Sequence, residues 1–223
     1  MEVLYEDNHL VVVNKSSGEI VQVDKTGDVS LEDSLKQWLK ETHHKPGNVF
    51  LGVPHRLDRP VSGIVIFAKT SKALVRLNDM FKNGEIKKTY WALVKTKSKS
   101  PEGVCKHWLV RNEKQNKSYA YEVECKQSKY AELHYKTIGQ SNTFTLLEID
   151  LKTGRHHQIR CQLAKIGSPI KGDLKYGFPR SNADGSISLH ARSIQFIHPV
   201  SQQLIFVEAP LPGSDPVWHF FEK

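Results

Sequence analysis

The apolar residues of this chain come in short bursts rich in β-branched side chains, such as "HLVVV" (9–13) and "GIVIFA" (63–68). Such runs are far shorter than the roughly 20 residues a membrane-crossing helix needs. Bounded by Gly, Pro, Asn and Asp, they read instead as strands. "VLYEDNHLVVVNKSSG" (3–18) gives two strands joined by a turn at Asp7-Asn8, with Gly18 ending the second. "SGIVIFAKT" (62–70) gives a buried strand and "IKKTYWALVKT" (86–96) the next. More strands are expected at 103–110, 118–125, 131–138 and 143–150, and in the tail around "SISLHA", "SIQFIH" and "QQLIFVEAP".

Helical spacing interrupts this pattern three times. Leu31, Leu35, Trp38 and Leu39 lie on one face, with Ser30 placed as N-cap and Asp33 three residues on. Ala73, Leu74, Leu77, Met80 and Phe81 form a second stripe that Gly84 stops. Ile159, Leu163 and Ile166 form a third, closed by Gly167. Many strands with a few helices imply an α+β fold on a mixed, largely antiparallel central sheet flanked by helices. No repeat, low-complexity tract or Pro/Gly linker cuts the sequence, so one domain over 1–223 is expected.

The charge is basic and uneven: 32 Lys and Arg against 24 acids, a formal +8. Residues 152–180 hold seven bases (Lys152, Arg155, Arg160, Lys165, Lys171, Lys175, Arg180) against Asp173, and residues 82–99 hold six Lys against Glu85. Such faces suit a phosphate backbone, although they also serve as solvated surface. Cys105, Cys125 and Cys161 are odd in number and widely spaced, giving neither a disulfide framework nor a metal knuckle. The start, "MEVLYEDNHL", carries acids where a signal peptide carries bases, so the cytoplasm is expected and a membrane is not.

Few motifs could carry chemistry. His43-His44 and His156-His157 are adjacent pairs, which on regular elements point apart, and no HExxH or Cys pair completes a metal site. GxGxxG, GxxxxGK[ST] and the GxSxG elbow are all missing. What stands out is "PHRLDRPVSG" (54–63), where Asp58 lies between Arg56 and Arg59 on a loop leading into the buried strand. A guanidinium about 4 Å away favours the ionised carboxyl by about 4 kcal/mol at an effective dielectric near 20. Asp58 is then either half of a surface ion pair or a nucleophile or base kept ionised by its neighbours.

"HRLDRPVSGIVIFAKT" (55–70) resembles the HRLDxxTSG signature of the RluA-like RNA pseudouridine synthases. "KKTYWALV" (87–94), "LKTGRHHQIRCQLAKIGSPIKGDLKYG" (151–177) and "LHARSIQFIHP" (189–199) are similar to the family's later motifs, in the same order. The resemblance implies a pseudouridine synthase catalytic fold with an active-site cleft, isomerising uridine to pseudouridine in RNA without metal or cofactor. On the matching positions it implies Asp58 as nucleophile, attacking either the sugar C1′ or the base C6. Tyr90 would stack on the target base, Arg160 pair with the aspartate, and Ile159 pack against the base. Arg56 would enter the helical stack vacated by the flipped nucleotide. His55, Arg155 and Gln158, in the same motifs, are expected to bind substrate.

Val61 and Gln162 depart from the pattern, standing where relatives usually have Thr and His. The catalytic strands start at residue 3, so no N-terminal S4 domain is expected, and RNA docking should fall to segments 82–99 and 152–180. The expected partner is a tRNA or rRNA stem-loop, bound by a monomer. A non-catalytic RNA clamp or chaperone on this fold, or a glycosidase releasing free uracil, would share much of this signature.

Overall fold

The computed structural model describes residues 1–24, 26–95, 100–213 and 215–221. In chain order its elements are β1 (Glu2–Glu6), β2 (Leu10–Lys15), α1 (Leu31–Thr42), β3 (Ser62–Ala68), α2 (Ser71–Asn83), β4 (Lys87–Lys95), β5 (Glu102–Asn112), β6 (Lys117–Tyr121), β7 (Lys129–Gln140), β8 (Phe144–Leu151), α3 (Gln158–Lys165), a 3-10 turn (Leu174–Tyr176), β9 (Leu189–Ile197), β10 (Leu204–Glu208) and α4 (Pro216–His219). The fold is α+β with largely antiparallel strand pairing, as the sequence pattern implies. Two compact units form: Met1–Ile86 with Ala191–Pro210, and Lys87–His190 with Leu211–Lys223.

In the first unit, Asp7 shapes the β1–β2 turn. Its Oδ1 accepts from the amides of His9 and Leu10, both at 2.7 Å, as an aspartate at a turn start does. β2 pairs antiparallel with β3, from Leu10 opposite Ala68 to Lys15 opposite Gly63. All seven residues of β3 are buried, which explains a sequence with no polar alternation. Leu31, Leu35 and Leu39 of α1 pack with Val11, Val13, Val65 and Phe67 into the unit's core. Ser30 caps α1, its Oγ accepting from the Asp33 amide at 3.2 Å. Gly84 ends α2 in the left-handed conformation that a glycine adopts without strain.

The second unit is a meander in which β4 pairs with β8, β8 with β7, β7 with β5 and β5 with β6. Its α3 packs against β5 and β6. Four local expectations fail. "SISLHA" and "SIQFIH" merge into the single strand β9, and β6 stops at Tyr121 rather than running to 125. Ile166 is 40% exposed and outside α3, because burial of every residue from Gln158 to Leu163 replaces the one-sided stripe. His156 and His157 do not point apart. His157 takes a left-handed backbone (φ 52°), and the two rings stack at 3.8 Å.

Candidate active site

The loop carrying Asp58 is tied to the first unit's sheet along its length. Gly52 exchanges both backbone hydrogen bonds with Ala68, extending the edge of β3. His55 Nε2 accepts from the Ile66 amide at 2.9 Å, and its ring stacks on Phe81. His55 thus braces the loop from its own position in the motif. Leu57 packs against the α1 core, and the Val61 amide donates to the Asp58 carbonyl at 3.0 Å, closing a turn through Arg59 and Pro60. Asp58 is half-buried at the head of this turn, Arg56 is exposed, and Arg59 pairs with Asp28 at 2.7 Å.

Beneath the turn lies Lys15, a residue the sequence reading passed over. It is fully buried at the end of β2, and its Nζ donates to the carbonyls of Ser16 (2.8 Å), Arg59 (3.2 Å) and Val61 (2.7 Å). Burial pushes this amine down to about 8, while Glu19 and Asp58 oppose the shift by favouring its charged form. Gly18 completes the hold, its amide donating to Arg59 O at 2.8 Å. The loop is therefore fixed through main-chain carbonyls. That accounts for Val61 in place of Thr: the position acts through its backbone, and its side chain is simply buried.

In the second unit Tyr90 is buried on β4 opposite Ile149. α3 holds Ile159 and Arg160, both 5% exposed. Arg160 grips Asp173 side-on, Nε to Oδ2 at 2.7 Å and Nη2 to Oδ1 at 2.9 Å. Its guanidinium carbon also lies 5.1 Å from the Tyr176 ring centre. Asp173 and Tyr176 are the Asp and Tyr of "GDLKYG". The motif therefore orients a guanidinium, through a bidentate carboxylate and an aromatic face.

Tyr176 is itself fixed. Its hydroxyl oxygen accepts from the Ser118 amide at 2.8 Å and lies 3.0 Å from His157 Nδ1. Burial drives the hydroxyl's pKa up. His157 is pushed down to about 2 by burial and then by the charges of Arg160, His156, Lys175 and Arg111. The ring is neutral at pH 7 and shares one hydrogen bond with the Tyr176 hydroxyl through Nδ1.

Gln158 and Arg155 form one brace. Gln158 Oε1 accepts from Thr153 Oγ1 (2.8 Å) and the Arg155 amide (3.0 Å), and its Nε2 donates to Glu132 O (3.1 Å). Arg155 Nε donates to Tyr130 O at 3.0 Å. Gln162, the second departure, is fully buried and donates to Cys105 O and Ala131 O, both at 3.1 Å, anchoring α3 to β5 and β7.

The sequence model described as RNA pseudouridylate synthase matches residues 9–165, a span holding Asp58, Tyr90, Ile159 and Arg160. This chain belongs to that family. It is 34% identical over 218 residues to ribosomal large subunit pseudouridine synthase C of Buchnera aphidicola subsp. Acyrthosiphon pisum, covering 94% of this chain and 67% of the relative. To tRNA pseudouridine synthase C of Vibrio cholerae it is 29% identical, covering 98% and 93%. Among solved structures, human RNA Pseudouridylate Synthase Domain Containing 4 shares the fold, with TM-score 0.79 at 22% identity over 95% of this chain and 89% of that one. The pseudouridine synthase is thus an isomerase acting on uridine in RNA. No described helix is long and apolar enough to cross a membrane.

Within the synthase the two basic segments are less uniform than the sequence suggests. Lys152 pairs with Asp150, Arg160 with Asp173, Lys165 with Glu122 and Lys171 with Asp215. Three of those four carboxylates come from outside 152–180. In segment 82–99, Lys82, Lys87 and Lys95 are exposed, and burial lowers the pKa of the Lys88 amine. Lys97 and Lys99 lie outside the described residues.

Proposed function

We propose that Asp58 is the nucleophile of the uridine-to-pseudouridine isomerisation, acting on a nucleotide flipped out of a tRNA or rRNA stem-loop. The observation that carries this reading is the ordered set of family motifs, with Asp58 at the matching position of a loop held rigidly by Lys15, His55 and Gly18. A nucleophile on a clamped turn loses little freedom on approaching its target. The bond from C1′ to N1 breaks, the uracil turns, and a C1′–C5 bond forms. The proton leaves C5 and N1 gains one, so no redox partner enters the balance.

Unstacking the uridine costs a few kcal/mol, and stacking on an aromatic ring returns about 1–3 kcal/mol. Tyr90 would supply that ring and Ile159 an apolar wall, while Arg160 would keep Asp58 ionised. Arg56, exposed beside Asp58, would fill the gap left in the helix. His55, Arg155 and Gln158 act as positioning residues, since their polar atoms brace the two motif loops. The names of the relatives, one ribosomal and one tRNA enzyme, support both RNA classes as targets.

Release of tritium from RNA labelled at uridine C5 tests the assignment. Asp58→Asn should abolish release while leaving RNA binding in place, and continued release in that variant refutes it. Free uracil as the end product would favour glycosidase chemistry instead. We further read the synthase as a cytoplasmic monomer; the free thiols of Cys105, Cys125 and Cys161 support the compartment. Sedimentation that shows a dimer at micromolar concentration counts against the monomer.

A further inference from the structure

We propose that Arg111, Lys117 and Lys175, gathered around the β5–β6 turn, form a docking site for the phosphodiester backbone of the RNA substrate. The proposal rests on the reading of the chain as an RNA enzyme. It adds which bases grip the backbone.

The three come from separate elements, and folding draws them together. Arg111 lies near the end of β5, Lys117 opens β6, and Lys175 sits on the 3-10 turn. Asn116, in the left-handed conformation (φ 45°), is the bolt. Its carbonyl accepts from Lys175 Nζ at 3.1 Å, and its Oδ1 lies 3.1 Å from His156 Nε2. His156 Nδ1 in turn lies 2.9 Å from Ser118 Oγ. The hairpin turn, the lead-in to α3 and the 3-10 turn are thereby locked together. Lys117 Nζ stands 5.2 Å from the Tyr176 ring centre, the same ring that faces Arg160.

Unlike several of their neighbours, these three bases carry no counter-charge. The neighbouring Lys152, Arg160, Lys165 and Lys171 each have a carboxylate partner. Among the described residues, Arg111, Lys117 and Lys175 form no ion pair, and neither does Glu113, the carboxylate of the turn. The positive potential reaches inward, since the charges of Arg160, Lys175 and Arg111 all act to keep His157 neutral. Like charges held by a rigid frame repel one another until an anion arrives. A polyanion with regularly spaced charges fits three exposed or half-exposed bases better than a single small ion would. Phosphate contacts carry no base information, so this site should set affinity and register but not sequence choice.

The test is the salt dependence of binding by the intact chain to two fluorescein-labelled RNA hairpins of different sequence. For single-stranded contacts each neutralised phosphate contributes about 0.7 to the slope of log affinity against log salt. Arg111→Gln/Lys117→Gln/Lys175→Gln should therefore flatten the slope by about 2 on both hairpins, and Lys175→Gln alone by about 0.7. Lys40→Gln/Lys45→Gln, exposed bases at the end of α1 and just beyond, should leave the slope unchanged. A triple-variant slope equal to wild type, with wild type binding normally, overturns this site and spares the enzyme assignment. A loss confined to one hairpin overturns the backbone reading. Wild type that neither binds nor converts RNA overturns the enzyme assignment and this site with it.

Discussion

Gly63→Ala separates a packing requirement from a catalytic one in the motif that carries Asp58. Gly63, the second residue of β3, has φ +109°, and an added Cβ would stand 2.4 Å from the carbonyl oxygen of Ala191, 2.6 Å from its nitrogen and 2.8 Å from its carbonyl carbon. All three atoms are backbone, so no rotamer change relieves the clash, and β3 must move away from Ala191 in β9. Left-handed backbone costs a residue with a Cβ about 1–2 kcal/mol. Forcing a methyl into a packed interior costs about 1–3 kcal/mol more. The sum, about 2–5 kcal/mol, is a large share of the 5–15 kcal/mol typical of a domain and lowers the melting temperature by roughly 4–20 °C. Gly18→Ala is the control, because Gly18 also has positive φ (+89°) but nothing within 4 Å of an added Cβ. Urea unfolding and thermal melts of both variants should differ by the packing contribution, about 1–3 kcal/mol. Equal losses for the two would refute the close approach of β3 and β9, and with it the explanation of this glycine as a contact requirement.

Asp173→Asn removes the charge facing Arg160 at nearly constant shape. Breaking one partner of a buried ion pair costs about 3–5 kcal/mol, readable by denaturant titration; a loss under 1 kcal/mol would show the bidentate pair to be incidental. Its kcat/KM should fall as well, and Asp173→Glu should restore part of it. Lys15 gives a pH signature, because burial lowers its amine from 10.5 to about 8. The unfolded chain then binds more protons between those values, so stability should rise with pH from about 8 to 10.5, by up to about 3 kcal/mol, and that gain is lost as pH falls from 10.5 back to about 8. Urea unfolding at pH 7.5 and pH 10 measures it; Lys15→Met should flatten the rise, and a flat wild-type profile refutes the buried amine.

Local periodicity was sufficient where one element packs against a single layer. Ser30 and Asp33 mark the start of α1, and Gly84 marks the end of α2, because capping depends on residues within one turn. It failed at α3, where residues from Gln158 to Leu163 are all buried and Ile166 lies in solvent. A helix enclosed on several sides has no polar face to give it a period. Of the candidate site, the sequence pattern supplied the residues but not their partners. "GDLKYG" gave no hint that Asp173 and Tyr176 would hold Arg160 between them. Lys15 escaped notice because a lysine ending an apolar strand normally reaches solvent. Its burial follows from three carbonyls that only the folded loop brings to it.

The same lesson governs charge. Counting bases along 152–180 suggested one continuous cationic face, yet Asp150, Glu122 and Asp215 arrive from β8, from the stretch after β6 and from the cap of α4 to neutralise three of them. Arg111 and Lys117, outside both basic segments, are among the described bases that form no ion pair. An ion pair at a few ångströms nearly cancels the field that either partner projects to a Debye length of about 10 Å. The surface an approaching polyanion senses is therefore set by which cations the fold leaves unpaired, not by where they cluster in sequence. In this synthase three of the unpaired ones, Arg111, Lys117 and Lys175, gather around Asn116, on the same unit as Tyr90 and Arg160.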